Sequence, residues 1–90
     1  MVKKRKILNK ILSGSKNIRF DEFASLLEGY GFTLKHVKGS HHSYVHPKLP
    51  RPLVIQPSSN KQAKPYQIQQ FLKQQERYQL ELAEDEEEDT

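Results

Sequence analysis

The feature that most constrains the fold is the Gly39-Ser40 pair near the middle of the chain, which separates two segments that favour β-strand. Residues 32–38 before the pair contain the β-favouring residues Phe, Thr and Val, and residues 41–46 after it form a second strand. A third short strand is predicted at 53–55, beyond a proline-rich loop. Three consecutive short strands predict an antiparallel sheet in which each strand pairs with the next.

Apolar residues at helical spacing predict one helix before the strands and one after them. Gly29 and Gly31 end the first helix, and Pro65 is well placed in the first turn of the second. The apolar positions that define the two helices are Phe20, Phe23, Leu26, Leu27, Tyr30, Ile68, Phe71 and Leu72. Because strands and helices are segregated along the chain, the expected class is α+β, with both helices on one face of the sheet and the other face available to a partner.

Two charged segments flank this predicted domain of residues 18–82. Residues 1–17 are predicted to form a basic amphipathic helical extension, and residues 83–90 a disordered acidic tail. The net charge of the 90-residue chain is +4, yet six of its eleven acidic residues lie in 84–89, so fifteen basic and five acidic residues leave +10 on the rest. Such an excess is typical of a protein that binds RNA or DNA, although solubility alone could also explain it.

Size and composition exclude several classes of function. A chain of 90 residues has room for one hydrophobic core and not for a large enclosed active site, so a polymeric substrate bound on the surface is expected. The absence of cysteine excludes disulfide scaffolds, thiolate zinc sites and cysteine nucleophiles. Because no apolar stretch is long enough for a signal peptide or a membrane span, the sequence predicts a cytoplasmic protein without membrane contact.

The residues best suited to chemistry lie in 38–46, which holds three of the four histidines. A histidine can take or give a proton near neutral pH, and RNA supplies its own nucleophile in the 2′-hydroxyl group. Strand alternation puts His41 on one side of the sheet and both His42 and His46 on the other. Alternation alone does not decide which side the helices cover, but Tyr44, on the side of His42, is the residue of this strand best suited to fill the core. We therefore expect His41 to be the exposed candidate, or else a turn histidine that only forms hydrogen bonds. Packing or a hydrogen bond to backbone is expected for His42 and His46, and His36 is expected to be strand surface.

Two further interpretations of this histidine-rich segment are weaker. A zinc or nickel site would use His41, His42 and His46, but opposite-facing neighbours cannot easily converge on one ion and no carboxylate lies nearby in the sequence. Sequence-specific DNA binding would require a helix that combines base-reading Arg or Asn residues, and no predicted helix does so. We therefore expect neither a metal nor a cofactor.

At these same residues the sequence resembles the HicA toxins, whose mark is a Gly-Ser-His-His-like turn followed by an aromatic residue and then His-Pro. The matching residues are Gly39-Ser40-His41-His42, Tyr44 and His46-Pro47. The resemblance extends from about Arg19 to Arg77 and implies a double-stranded-RNA-binding-like fold. It also implies metal-independent cleavage of mRNA, which blocks translation, and neutralisation by a HicB-type antitoxin in a type II toxin-antitoxin system.

The resemblance also implies roles for individual residues. The catalytic histidine of the family directly follows the Gly-Ser pair, which gives that role to His41. Lys38, Ser40 and His42 are the candidate RNA contacts around it, and Lys64 is a further candidate for RNA binding. Many family members have a Gly-Thr or similar pair where this chain opens its last helix with Lys-Pro, and the basic extension and acidic tail have no counterpart in the shortest members.

The leading hypothesis is therefore an endoribonuclease toxin that acts on single-stranded or loosely structured mRNA. A non-catalytic RNA-binding module of the same fold is the main alternative, and a domain that binds only other proteins is a third. The basic extension either clamps RNA, docks the antitoxin or is simply a solvated helix. The acidic tail either screens the basic body or only aids solubility.

Overall fold

The computed structural model describes residues 4–83, and within them it contains three helices and three strands. In chain order they are α1 (Lys4–Leu12), α2 (Phe20–Gly29), β1 (Thr33–Lys38), β2 (His41–Val45), β3 (Leu53–Ile55) and α3 (Pro65–Arg77). This order confirms the predicted α+β class. A basic N-terminal helix is followed along the chain by a helix, a three-stranded antiparallel sheet and a last helix. Residues 1–3 of the predicted extension and 84–90 of the predicted tail lie outside the described residues.

β1 and β2 form a hairpin whose connection is only two residues long. Gly39 has φ +60, the left-handed conformation that a type II′ turn needs at its first position and that glycine adopts without steric cost. Lys38 and His41 are consequently the directly opposed pair that flanks the turn. β2 is the central strand and pairs antiparallel with β3 along its other edge.

A β-bulge near the start of β1 changes the direction of its side chains. His36 pairs with Ser43, yet the next pair towards the N-terminus is Leu34 with Tyr44, so Lys35 is an extra residue on β1. Side chains alternate along a regular strand, and one extra residue reverses that alternation. Leu34 therefore points to the same face as Tyr44, while His36 keeps the face of Ser43.

The helices α2 and α3 cover one face of the sheet, which we call the covered face. Phe71 of α3 is fully buried there, and its ring meets three others edge-to-face. These are the rings of Phe23, Tyr30 and Phe32, at centroid distances of 5.8, 5.1 and 6.3 Å. The strands contribute Tyr44, Leu53 and Ile55 to this core. By register, the opposite face, which we call the open face, carries Thr33, His36, Lys38, His41, Ser43, Val45 and Val54.

The basic helix α1 packs against α2 and shares the same core. Its residues Ile7 and Ile11 are only 2% and 7% exposed, and Lys10 Nζ lies 3.6 Å from Glu22 Oε1 on α2. Fully burying an aliphatic side chain contributes about 1.5–3 kcal/mol, so the two isoleucines tie α1 to the rest of the fold. None of the helices within residues 4–83 is long and apolar enough to span a membrane.

Candidate functional site

The tip of the β1–β2 hairpin presents His41 to solvent on the open face. His41 is the first residue of β2 and is exposed, and its side chain forms no hydrogen bond or ring contact with any residue in 4–83. Lys38 lies directly across from it on β1, and Ser40 lies in the turn between them; both are exposed. The structure thus brings together the predicted catalytic histidine and two of the predicted RNA contacts. A free imidazole beside an ammonium group can exchange protons with a substrate whose phosphate the ammonium group attracts.

His42 lies on the covered face and does not join His41. Its Nδ1 lies 3.0 Å from the carbonyl oxygen of Ser40, and its ring meets the ring of Phe20 edge-on at 4.9 Å. Because a carbonyl oxygen only accepts, Nδ1 of His42 carries the proton and donates it. His42 therefore braces the turn that positions His41, and its ring is half-buried rather than free.

His46 fastens the far end of β2 to the end of α2. Its Nε2 donates to the carbonyl oxygen of Tyr30 at 3.0 Å, its Nδ1 accepts from the backbone N–H of Lys48 at 3.0 Å, and its ring lies edge-on to Phe32 at 5.0 Å. Gly31 leaves the space for this ring, because a Cβ there would lie 3.1 Å from Nε2 of His46 and the backbone has φ +97. These hydrogen bonds use both ring nitrogens, so the role of His46 is structural.

His36 is a second exposed imidazole on the open face. It pairs directly with Ser43, the residue two positions along β2 from His41. Sequence reasoning assigned no role to His36 beyond strand surface. The two-residue turn could have placed His36 on the same face as His41. A turn of fixed length sets the register of both strands and therefore determines which residues share a face.

Lys64 lies apart from the hairpin tip. It is the half-buried residue that precedes α3, and its carbonyl oxygen accepts hydrogen bonds from the N–H groups of Gln67 and Ile68. Among the residues that the structure describes, no hydrogen bond or ion pair joins Lys64 to the tip. The structure therefore shows no contact between this predicted RNA-binding residue and the others.

A groove of about 610 Å³ follows the β3 edge of the sheet, between the loop before β3 and α3. Its lining includes Arg51 and Arg77, and the guanidinium of Arg77 lies 5.5 Å from the ring centroid of Tyr78. None of the predicted site residues lines this groove. The exposed histidines lie instead on the sheet surface, a position that is open to a polymeric substrate.

The ionisable groups with shifted pKa values lie away from the open face. Burial raises the pKa of Tyr30 and of Tyr44 above their ordinary value of 10.0. At the surface, a hydrogen bond of 3.2 Å from Nε of Arg19 lowers the pKa of Asp21 below its ordinary value of 3.8. Within residues 4–83, no group of three His, Asp or Glu side chains lies close enough together to hold a metal ion.

Comparison with known proteins gives a family for the chain. The sequence model of the family described as HicA toxin of bacterial toxin-antitoxin matches residues 20–76, more than half of the chain. The match runs from the first residue of α2 into the last turn of α3 and includes the whole sheet and the hairpin tip. The chain therefore belongs to the HicA toxin family and is a toxin of a bacterial toxin-antitoxin system. No curated protein and no solved structure matches the chain significantly.

Proposed function

We propose that this toxin is an endoribonuclease that cleaves mRNA and so blocks translation, with His41 as its catalytic residue. The observation that carries the proposal is the exposed, unbonded imidazole of His41 on the open face, beside Lys38 and inside the region of the family match. The excess of basic residues in 1–83 supports a polyanionic substrate. An open sheet surface also accepts a strand of RNA without a deep cavity.

The reaction that fits these groups uses the 2′-hydroxyl of RNA as the nucleophile. Removal of its proton lets the 2′-oxygen attack the adjacent phosphorus, and the bond from phosphorus to the 5′-oxygen breaks as that oxygen takes up a proton. His41 takes part in these proton transfers, and Lys38 offsets the negative charge that grows on the phosphate oxygens. The products are a 2′,3′-cyclic phosphate and a free 5′-hydroxyl group, and the steps require neither metal nor cofactor.

The proposed RNA contacts are Lys38, Ser40, His42 and Lys64. The exposed hydroxyl of Ser40 is free to donate to a phosphate oxygen at the hairpin tip. His42 holds the backbone of that turn and presents the outer edge of its half-buried ring. Lys64 adds a positive charge at the start of α3. Phosphate contacts of this kind fix the position of the RNA without reading its sequence.

The proposed protein partner is a HicB-type antitoxin, which meets the toxin in the cytoplasm. An antitoxin that covers the hairpin tip would keep RNA away from His41. Acidic residues on its contact surface would complement the basic charge of the toxin and accelerate association. This mode of neutralisation needs no change in the toxin's fold.

Incubation of the purified chain with a single-stranded RNA, with and without a strong metal chelator, tests the nuclease proposal. We expect cleavage under both conditions and a 2′,3′-cyclic phosphate on the upstream product. His41→Ala should lose cleavage, whereas Gln69→Ala, a change at an exposed position of α3, should keep it. The folding of both variants is checked by circular dichroism.

Each component of the proposal has its own contrary result in this experiment. Cleavage that stops when the chelator is added would refute the metal-independent mechanism. Cleavage by folded His41→Ala at the parent's rate would refute the role of His41. Salt-sensitive RNA binding by the parent without any cleavage would identify the chain as a non-catalytic RNA-binding module.

A further inference from the structure

The open face carries two exposed imidazoles in a fixed relation to each other. The two-residue turn sets Lys38 opposite His41, and two positions further along the hairpin His36 lies opposite Ser43. His36 and His41 are therefore diagonal neighbours on one face, a relation in which the Cα atoms lie about 7–8 Å apart. Two imidazole side chains that extend from positions this far apart on one face can approach the same phosphate group.

The surroundings of His36 match those of His41 and differ from those of the other two histidines. His36 is exposed, and its side chain forms no hydrogen bond or ring contact with any residue in the described range. His42 and His46, in contrast, each have a hydrogen bond to backbone and an aromatic ring beside them. Among the four histidines, only the two open-face imidazoles thus have both ring nitrogens free for proton transfer to a bound substrate.

The β-bulge in β1 places His36 and Leu34 on opposite faces of the sheet. Counting back from the turn, regular alternation would direct Leu34 to the open face together with His36. The extra residue Lys35 reverses the alternation between them, so Leu34 points to the covered face while His36 stays on the open face. Bulges occur often beside active sites, where they redirect a side chain.

We propose that His36 is a second catalytic residue and that His36 and His41 form a general acid–base pair for RNA cleavage. This inference rests on the proposed endoribonuclease function. One imidazole, neutral, takes the proton of the 2′-hydroxyl as the bond from the 2′-oxygen to phosphorus forms. The other, protonated, gives its proton to the 5′-oxygen as the bond from phosphorus to that oxygen breaks. A proton passed through water then returns the pair to its starting state.

The test compares two RNA substrates that differ in a single atom. One is an ordinary oligonucleotide, and the other carries sulfur in place of the bridging 5′-oxygen at the cleavage site. A thiolate leaves readily without a proton, so the sulfur substrate makes the general acid dispensable while it still needs the general base. Single-turnover cleavage of both substrates is measured for the parent, His36→Ala, His41→Ala and Val37→Ala. Val37 is the control because it is a neighbour of His36 on β1 that points to the other face.

We expect each histidine variant to cleave the ordinary RNA about 10²–10⁴-fold more slowly than the parent, the usual contribution of a general acid or base. Val37→Ala should cleave at close to the parent's rate. On the sulfur substrate, one histidine variant should regain most of its rate and the other should not. The variant that recovers identifies the general acid of the pair.

Other outcomes overturn the inference. If His36→Ala cleaves ordinary RNA at the parent's rate, His36 has no part in the chemistry. If His36→Ala is slow but the sulfur atom restores neither variant, or restores both equally, the two histidines are not an acid–base pair. If the parent itself cleaves neither substrate, the endoribonuclease proposal fails first and this inference fails with it, which separates the two failures.

Discussion

The two faces of β2 carry the same residue type in different surroundings. On the covered face, His42 and His46 are each held by a hydrogen bond to backbone and an adjacent aromatic ring. On the open face, the side chain of His41 is exposed and has no hydrogen bond to any residue in 4–83, and His36 lies diagonally from it. The difference shows why a histidine-rich segment is not by itself a site. Strand alternation directs His42 and His46 to the covered face, where they make structural contacts, and leaves the side chain of His41 exposed to solvent.

The largest expected effect is the loss of activity in His41→Ala. We expect the single-turnover rate of RNA cleavage to fall about 10²–10⁴-fold, as when a general acid or base is removed. The free energy of unfolding should change by less than about 0.5 kcal/mol, because the side chain is exposed and unbonded. Cleavage assays and urea unfolding of the same preparation measure both quantities. If His41→Ala instead lost much stability and kept its activity, His41 would have a structural role and not a catalytic one.

The opposite pattern is expected for His46→Ala. Its two hydrogen bonds and its edge-on contact with Phe32 together account for about 2–3 kcal/mol, so the free energy of unfolding should fall by that amount. The cleavage rate per folded molecule should remain close to that of the parent. His36→Ala is the matched control for stability, since it removes an exposed imidazole. Equal stability of the two variants would contradict the structural role of His46.

The burial of Tyr30 and Tyr44 in the core should be measurable in alkaline solution, through the ionisation of their phenol groups. Burial raises the pKa of both phenols above 10.0, so the folded state holds these protons more tightly than the unfolded state does. Their contribution to stability is therefore complete below pH 10 and is lost as the pH rises further. Phenolate absorbance followed during a pH titration should show part of the tyrosine signal appearing late, together with unfolding. Simultaneous ionisation of all four tyrosines in a folded protein would contradict the burial.

The smallest effect is expected for Lys38→Gln on the open face, and it concerns the salt dependence of RNA binding. Removing one phosphate contact should lower the steepness with which RNA affinity falls with salt by about 0.7 in a plot of log K against log salt concentration. Lys73→Gln on α3 removes the same charge from an exposed position outside the tip and should leave that slope nearly unchanged. Binding of a non-cleavable RNA to each variant over a range of salt concentrations measures the difference. Equal slopes for the two variants would remove Lys38 from the RNA contacts.

Local sequence patterns predicted the secondary structure and the face of His41. Helical spacing identified the helices, and the Gly39-Ser40 pair identified the hairpin, because these signals lie within a few residues of each other. Tyr44 lies in the core, so alternation leaves His41 on the other face. These features depend on short-range periodicity, which is readable in the sequence.

Contacts between distant segments could not be predicted in the same way. The bond from His46 to Tyr30 joins residues sixteen positions apart and depends on the packing of α2 against the sheet. The bulge at Lys35 also gave no sequence signal, because its neighbours in β1 are all exposed and show no clear alternation. The pairing of His36 with Ser43, in contrast, follows from the length of the turn, although His36 was expected only to be strand surface.

Induced expression of the chain and of His41→Ala in bacterial cells, with mRNA integrity followed in the same cultures, tests the central claim most directly. The account predicts that the parent arrests growth and degrades mRNA, whereas the folded variant does neither. Equal toxicity of the two proteins, or intact mRNA in both cultures although both proteins fold, would contradict RNA cleavage through His41.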